Sequence, residues 1–512
     1  MDLISSADFM QGLAVLLNPN VHMFVLIGAI VGLVFGAAPG LTAPAAIALM
    51  IPLTYDMGLE TSLALLLGVY CSGYFAGSIP AILINTPGTP GNAATGLDGY
   101  PMAQAGQGDR AVAIAIVGSF VGGLVAMVLL ASIAPTLAKF ALSFTSVEYF
   151  SLALLGIVCV AGISQGSLMK GLAAALIGVL VSTVGLDPTS GVPRMIFGIP
   201  HLLAGVEIIP ALIGLFALSE MLMKSHRNQP VQKVMKTEER MRIGQIFMDF
   251  ARNKWLALKS ALLGTFIGLL PGTGPAIGSW VAYGDALRTA KPGDKYGKGE
   301  PKGIIACESA NNAVTGGAMV PLLTLGIPGD PVTAILIGAL MIHGIEPGPF
   351  FIRDYGWLFV AIVLLLFLSN IWMVIIGLLS RGTLAKVVQI PAYILVPVIC
   401  VMAAAGSFAV VNSAFDVRIV LLFGIVGYLM VRFDFPVAAV VLGLVLGPIL
   451  ESNLRNALIG SQMDPTVFVT RPISLAILIA MVALLLIWKR QAKKQARLTE
   501  QVLNDSKKGD ET

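Results

Sequence analysis

The chain alternates long apolar runs with short polar connectors. Runs of about 20 apolar residues, such as 357–379 and 473–488, each suit a membrane-spanning helix. Two runs are interrupted where a helix should continue. The first carries Asn85-Thr86-Pro87-Gly88-Thr89-Pro90-Gly91, and the second carries Gly326-Ile327-Pro328-Gly329-Asp330-Pro331. Proline removes a backbone donor, and glycine permits a tight reversal. In hydrocarbon, open backbone survives only where it is buried in protein or lines a watery cavity. The pattern predicts two broken helices, one over 61–84 resuming near 92 and ending near Asp98-Gly99-Tyr100-Pro101, the other over 303–325 resuming at 331–343.

The breaks recur at one spacing: Pro80, Pro87, Gly88 and Pro90 are followed 241 residues later by Pro321, Pro328, Gly329 and Pro331. A glycine stripe precedes each. Gly28, Gly32, Gly36 and Gly40 stand four residues apart, and Gly264, Gly268 and Gly272 repeat the last three of them 232 residues later. On a helix this spacing makes one smooth face for close packing. The stripes end at Ala38-Pro39-Gly40-Leu41-Thr42 and Pro271-Gly272-Thr273-Gly274-Pro275. Residues 21–54 and 257–285 are therefore read as re-entrant hairpins with tips there, a kinked span being the alternative. Single spans are expected over 111–134, 147–166, 170–187, 201–223, 356–380, 388–407, 418–433, 436–450 and 468–488, giving about 11 to 12 membrane spans in all.

Composition agrees. Of 512 residues, 56% are hydrophobic and 12% charged, and the mean hydropathy is +0.87; soluble domains carry roughly 25% charged residues. The net charge of +4 is too small and dispersed for a nucleic-acid partner. The four cysteines have no metal-ligand spacing and read as free, packed thiols. Charge adds topology. No Lys or Arg precedes Arg110, whereas 224–254 is rich in both. By the positive-inside rule the first hairpin opens outward and the second inward. A repeated sequence with an inverted charge pattern predicts an all-α polytopic membrane protein of two inverted-topology repeats, each with a re-entrant hairpin and a broken helix. The expected organisation is a periplasmic segment 1–20, repeat one over 21–223, a cytoplasmic connector 224–254, repeat two over 255–450, a loop and final transmembrane helix over 451–488, and a cytoplasmic tail 489–512.

A cut helix exposes free N–H donors and partial positive charge at its new N-terminus, which suits a carboxylate. Its carbonyl end suits Na⁺ or a proton relay. Expected substrate-binding residues are Pro39, Gly40, Thr42, Ser78, Asn85, Thr86, Pro87, Gly88, Thr89 and Asn92 in the first half. Gly272, Thr273, Asn311, Asn312, Thr315, Pro328 and Gly329 are their counterparts in the second. Asp330, with Thr324 and Thr333, is the candidate for a coupling cation, and equally a helix N-cap. Hydroxyls here also have the alternative of bonding their own backbone. Glu308 is expected to pair with a basic residue or sit at the interface, and Asp98 and His343 to end helices. No nucleophile–base pair or metal set emerges, which argues against an enzyme, and no resident cofactor is expected beyond a coupling Na⁺ or H⁺. A channel-like carboxylate pore and a carrier of another organic anion, such as an aromatic acid, are the alternatives.

Pro-Gly-Leu-Thr (39–42), Asn-Thr-Pro-Gly-Thr-Pro (85–90), Asp-Gly-Tyr-Pro-Met-Ala (98–103), Cys-Glu-Ser-Ala-Asn-Asn-Ala-Val-Thr-Gly-Gly-Ala (307–318), Gly-Ile-Pro-Gly-Asp-Pro (326–331) and His-Gly-Ile-Glu-Pro-Gly-Pro (343–349) resemble the large membrane subunit of tripartite tricarboxylate transporters. The resemblance covers about residues 20–450. It implies a bacterial inner-membrane permease for citrate-like carboxylates, driven by a Na⁺ or H⁺ gradient. It implies a small membrane partner of about four helices and a periplasmic solute-binding protein. The absence of a phosphate-binding loop agrees with a carrier that does not use ATP. The opposed hairpins are similar to those of elevator-type carboxylate carriers, a likeness of fold alone.

Overall fold

The computed structural model describes residues 3–163, 168–227 and 243–486. Their regular structure is helical apart from a two-residue antiparallel ribbon that pairs Gly185–Leu186 with Pro193–Arg194. Among the described residues, eight helices are long and apolar enough to cross a membrane. Five further apolar helices are shorter: Ala43–Thr54, Ser146–Cys159, Leu168–Ser182, Pro331–Ile342 and Pro472–Leu486. Residues 228–242 of the basic connector and the tail 489–512 lie outside the described residues.

Both hairpins form helix–turn–helix units. The first has arms Pro19–Ala37 and Ala43–Met50, and the first of these arms is itself long enough to span. The second has two arms of 15 residues, Lys254–Gly268 and Gly274–Arg288. Each glycine stripe presses on the broken helix of its own half. A Cβ on Gly32 would lie 2.6 Å from the Val69 carbonyl oxygen, and one on Gly36 would lie 2.5 Å from that of Gly73. A Cβ on Gly264 would strike the Ala310 carbonyl, and one on Gly268 would lie 2.8 Å from that of Val314. Ala310 and Val314 stand 241 residues after Val69 and Gly73, so the two halves make the same contacts at the two sequence offsets.

The helix after each break crosses to the opposite half. Gly108–Ala141 packs along Pro301–Leu325, and Gly356–Val387 packs along Leu59–Ala76. The outer helices exchange in the same way. Val437–Gly460 packs on Ser146–Ile163 and Leu168–Ser182, while the helical run 208–227 packs on Ala392–Val411 and Ala414–Arg432. Inside that run, Ile213–Leu218 is wound as a π-helix, a form that is rare and often marks a functional site.

The resumed first helix does not end at the Asp-Gly-Tyr-Pro stretch. It runs from Ala93 to Gln104 with Pro101 inside it, and Asp98 is fully buried in its middle rather than at a helix end. The Asp98 carboxylate accepts the backbone N–H groups of Gly297 (2.7 Å), Gly299 (3.1 Å) and Glu300 (2.9 Å), and the Tyr283 hydroxyl (3.0 Å). It thus supplies, from the other half of the chain, acceptors to the free donors that precede helix Pro301–Leu325.

Candidate functional site

Both breaks end in a left-handed residue: Asn85 (φ 54°) closes the helix ending at Ile84, and Gly326 (φ 70°), 241 residues on, closes the one ending at Leu325. The chain then turns back under its own helix. Gly88 N–H donates to the Gly77 carbonyl (3.0 Å), and the Gly329 carbonyl accepts from Gly272 N–H at the second hairpin tip (2.8 Å). Neither position has room for a side chain. A Cβ on Gly88 would lie 2.7 Å from both the Gly36 carbonyl oxygen and Gly77 Cα. One on Gly329 would lie 2.6 Å from Ala318 Cα and 2.9 Å from the Gly268 carbonyl oxygen. The obstructing residues are again repeat equivalents.

The tips and breaks surround one cavity of about 770 Å³. Its wall takes Thr42 and Pro44 from the first hairpin, Tyr74 and Thr89–Gly91 from the first broken helix, Gly272–Ile277 and Trp280 from the second hairpin, and Pro331 from the second break. Leu215, Phe216, Ser219 and Glu220 enter from the π-helical run, and Asp434–Ala438 close the remaining side. Five helices begin at this wall: Ala43–Met50, Ala93–Gln104 through its lead-in Pro90–Asn92, Gly274–Arg288, Pro331–Ile342 and Val437–Gly460. Helix N-termini carry N–H donors and partial positive charge; at Ala43–Met50 Thr42 takes the Ala45 N–H, and at Pro331–Ile342 Asp330 takes the Thr333 N–H. The wall includes no Lys or Arg among the described residues, and its side chains are mainly apolar, with Phe216, Trp280 and Phe435 the largest.

Of the sequence-derived candidates, Thr42, Thr89, Gly272 and Thr273 line this cavity. Thr42 caps helix Ala43–Met50 and donates to Glu220 Oε1 (2.7 Å). Thr273 turns its hydroxyl to the Ile267 (2.5 Å) and Leu270 (2.9 Å) carbonyls. The Pro39 carbonyl accepts from Lys224 Nζ, whose stem covers Gly40. Gly88, Pro328 and Gly329 shape the breaks from behind the wall. Asn85, Thr86 and Pro87 lie at the outer turn, with the Thr86 hydroxyl on the Ile84 carbonyl (3.3 Å). Ser78 is buried with no partner for its hydroxyl. Asn312 is held by Ser119 and Asn370, and Thr315 and Thr324 bond their own helix at Asn312 and Val320.

Asp330 stands as the N-cap of Pro331–Ile342, in a reciprocal capping box with Thr333. Its Oδ1 accepts from Thr333 N–H (2.7 Å) and hydroxyl (2.8 Å), and its Oδ2 accepts from the hydroxyls of Tyr70 (2.8 Å) and Tyr74 (2.9 Å). Both oxygens are occupied by neutral donors. Among the described residues, Glu308 pairs with no basic residue. It is fully buried and accepts from Thr95 (2.5 Å) and Asn92 (3.4 Å) at Oε1, and from Ser119 (3.0 Å) and Asn311 (3.4 Å) at Oε2. The amides of Asn92 and Asn311 also share the Tyr74 carbonyl, each at 3.2 Å. Residues of each half thus complete the break of the other. His343 follows helix Pro331–Ile342 as its C-cap, away from the cavity.

Sequence reading missed Tyr70, Tyr74, Glu220 and Lys224. The tyrosines stand four apart on an apolar helix, with nothing local to single them out. Glu220 falls inside the expected span 201–223, and Lys224 opens the basic connector 224–254. Only the offset of 241 could have singled out the tyrosines, because it sets Tyr70 on Asn311 and Tyr74 on Thr315.

Among relatives, an uncharacterised 52.8 kDa protein in the TAR-I ttuC' 3' region of Agrobacterium vitis is 37% identical over 482 residues, 93% of this chain and 94% of that protein. A second, in the TAR-II ttuC' 3' region of the same organism, is 40% identical over 215 residues, 42% of this chain and 89% of that protein. No solved structure matches the chain. Residues 23–442 match a transporter family, a stretch that takes in both hairpin tips, both breaks and the whole cavity wall. The protein is thus a multi-pass membrane transporter component and not an enzyme, and it belongs to the tripartite tricarboxylate transporter TctA family.

Proposed function

We propose that this chain is the large permease subunit of a secondary carrier that takes up citrate-like di- and tricarboxylates across the bacterial inner membrane. The convergence of five helix N-termini on one cavity whose described wall has no cationic side chain carries the reading. Backbone N–H groups and helix dipoles bind carboxylates without leaving a buried counter-charge stranded when the site is empty. Uptake is driven by a Na⁺ or H⁺ gradient. A periplasmic binding protein delivers the substrate, and a small membrane subunit of about four helices completes the complex. The C-terminal tail lies in the cytoplasm. The matching contacts at offsets of 232 and 241 residues support two inverted-topology repeats, and the paired hairpins support elevator-type movement.

The test is uptake into proteoliposomes holding both membrane subunits, with and without the binding protein. A panel of carboxylates is supplied under imposed Na⁺ or pH gradients. Saturable, gradient-dependent accumulation supports the carrier, whereas flux that neither saturates nor follows a gradient supports a pore. The apolar wall built by Phe216, Trp280 and Phe435 favours aromatic carboxylates as a second cargo class, so the panel includes benzoate-like acids.

A further inference from the structure

Glu308 is a carboxyl group that the substrate cavity does not expose. It lies one layer behind the wall, in a cage of two hydroxyls and two amides divided evenly between its oxygens. Oε1 has Thr95 and Asn92, and Oε2 has Ser119 and Asn311. The amide nitrogens that face it can only donate. The hydroxyls can donate to a carboxylate or, by rotating, accept from a protonated carboxyl. The cage therefore satisfies both protonation states without moving a backbone atom. It also connects to the cavity by two routes. Thr89, on the wall, donates to Asn92 Oδ1 (2.5 Å), and the Asn92 amide donates to Glu308. Asn311 Oδ1 is buried without a partner beside Gly91, which also forms the wall: a Cβ there would lie 2.7 Å from that oxygen.

Among the described residues, no cation contacts Glu308. Glu308's four described partners are neutral. The packed elements carry Lys302 and Cys307 on its own helix, Asp98 and Tyr100 on helix Ala93–Gln104, Tyr283, Asp285 and Arg288 on the second hairpin, Tyr70, Cys71 and Tyr74 on helix Leu59–Ala76, and Asp109, Arg110 and Lys139 on helix Gly108–Ala141. On neighbouring helices Arg110 pairs with Asp249, and Asp285 pairs with both Lys259 and Arg288. An ionised Glu308 thus repels an anion in the cavity, and a proton on it removes that repulsion.

We propose that Glu308 carries the coupling proton of this transporter. The carboxylate takes a proton from water on the substrate-entry side, the neutral carboxyl permits carboxylate binding at the helix N-termini, and the proton leaves with the substrate on the other side. Proton and anion then favour each other's binding reciprocally. This inference rests on the carrier reading above and selects H⁺ over Na⁺ for it.

The experiment uses the reconstituted complex, radiolabelled citrate, and two assays: accumulation driven by a pH gradient in Na⁺-free buffer, and citrate–citrate counterflow with no gradient. The unmodified protein is expected to accumulate citrate, and Glu308→Gln, which cannot lose a proton, is expected to lose accumulation while keeping counterflow. Three results overturn the proposal: pH-driven accumulation by Glu308→Gln, loss of counterflow together with accumulation in well-inserted Glu308→Gln, or driving of the unmodified protein by a Na⁺ gradient alone. Absence of carboxylate flux in the unmodified protein instead defeats the carrier reading itself. Should Glu308→Gln fail to insert, Ser119→Ala decides. It removes one switchable partner and is expected to displace the pH of half-maximal driven uptake by about one unit. An unchanged pH profile overturns the proposal.

Discussion

Replacing Gly88 by alanine adds a single methyl group where the structure leaves none. The new carbon would sit 2.7 Å from both the Gly36 carbonyl oxygen and Gly77 Cα. Ordinary carbon contacts settle near 3.5 Å or beyond, so the turn must withdraw by about 0.8 Å. That movement stretches the Gly88 N–H bond to the Gly77 carbonyl from 3.0 Å to beyond hydrogen-bonding range. Overpacking costs about 1–3 kcal/mol, and the lost bond costs about 0.5–1.5 kcal/mol more. The displaced residues include Thr89–Gly91 of the cavity wall. If about 2–4 kcal/mol falls on the binding geometry, apparent affinity drops from about thirty-fold to several hundred-fold, at about 1.4 kcal/mol per factor of ten. Gly329→Ala, with 2.6 Å to Ala318 Cα, is expected to behave alike. Gly284→Ala is the control, because a Cβ there meets nothing within 4 Å. The assay is initial-rate citrate uptake against concentration in proteoliposomes, alongside size-exclusion profiles to establish insertion. Parental KM and rate in Gly88→Ala and Gly329→Ala would refute the reasoning.

Three further outcomes follow from the same contacts. Tyr70→Phe and Tyr74→Phe each strip one hydroxyl from the buried Asp330 carboxylate and should each lower stability by about 1.5–3 kcal/mol, read as thermal unfolding in detergent; unchanged melting in both would show that Asp330 does not depend on them. In the loop at 183–207, the hydrogen bond from Arg455, with the Ser190 and Thr189 backbone, holds the Asp187 carboxyl well below the usual carboxylate range. A depressed folded value contributes stability above the unfolded value near 3.9 and loses it as pH falls further. Melting temperature should therefore decline below about pH 4, and Asp187→Asn should flatten that limb; an identical pH profile in the variant counts against it. Of the free cysteines, Cys71, Cys159 and Cys307 are buried and Cys400 is partly exposed. A membrane-permeant maleimide should modify Cys400 first, as mass spectrometry of single-cysteine variants would check.

The breaks were legible because proline and glycine clustered inside an apolar run are incompatible with an unbroken helix, and their common offset located both at once. The hairpins followed from glycine spacing. What could not be read is the partner across the chain. Asp98 looked like a turn residue because Pro101 follows closely, yet its acceptors serve donors 199 to 202 residues away. Glu308 looked like a residue in need of a cation, since nothing local announces that Thr95 and Ser119 will reach it from two other helices. The π-helical turn at 213–218, which carries Leu215 and Phe216 to the cavity, has no marker in an unbroken apolar sequence.

The crossed placement of buried carboxylates also bears on how the chain is made. Asp98 is complete only when Gly297, Gly299 and Glu300 reach it, Asp330 only with Tyr70 and Tyr74, and Glu308 only with Asn92, Thr95 and Ser119. A nascent chain that has inserted only its first half holds an orphaned Asp98 within its helices. Such a group is costly in a low-dielectric interior. The half-made protein is thereby marked as unfinished, and a membrane protease or chaperone that samples exposed polar groups can distinguish it from the finished one. Synthesis of the second half supplies Gly297, Gly299 and Glu300 as donors and removes that cost.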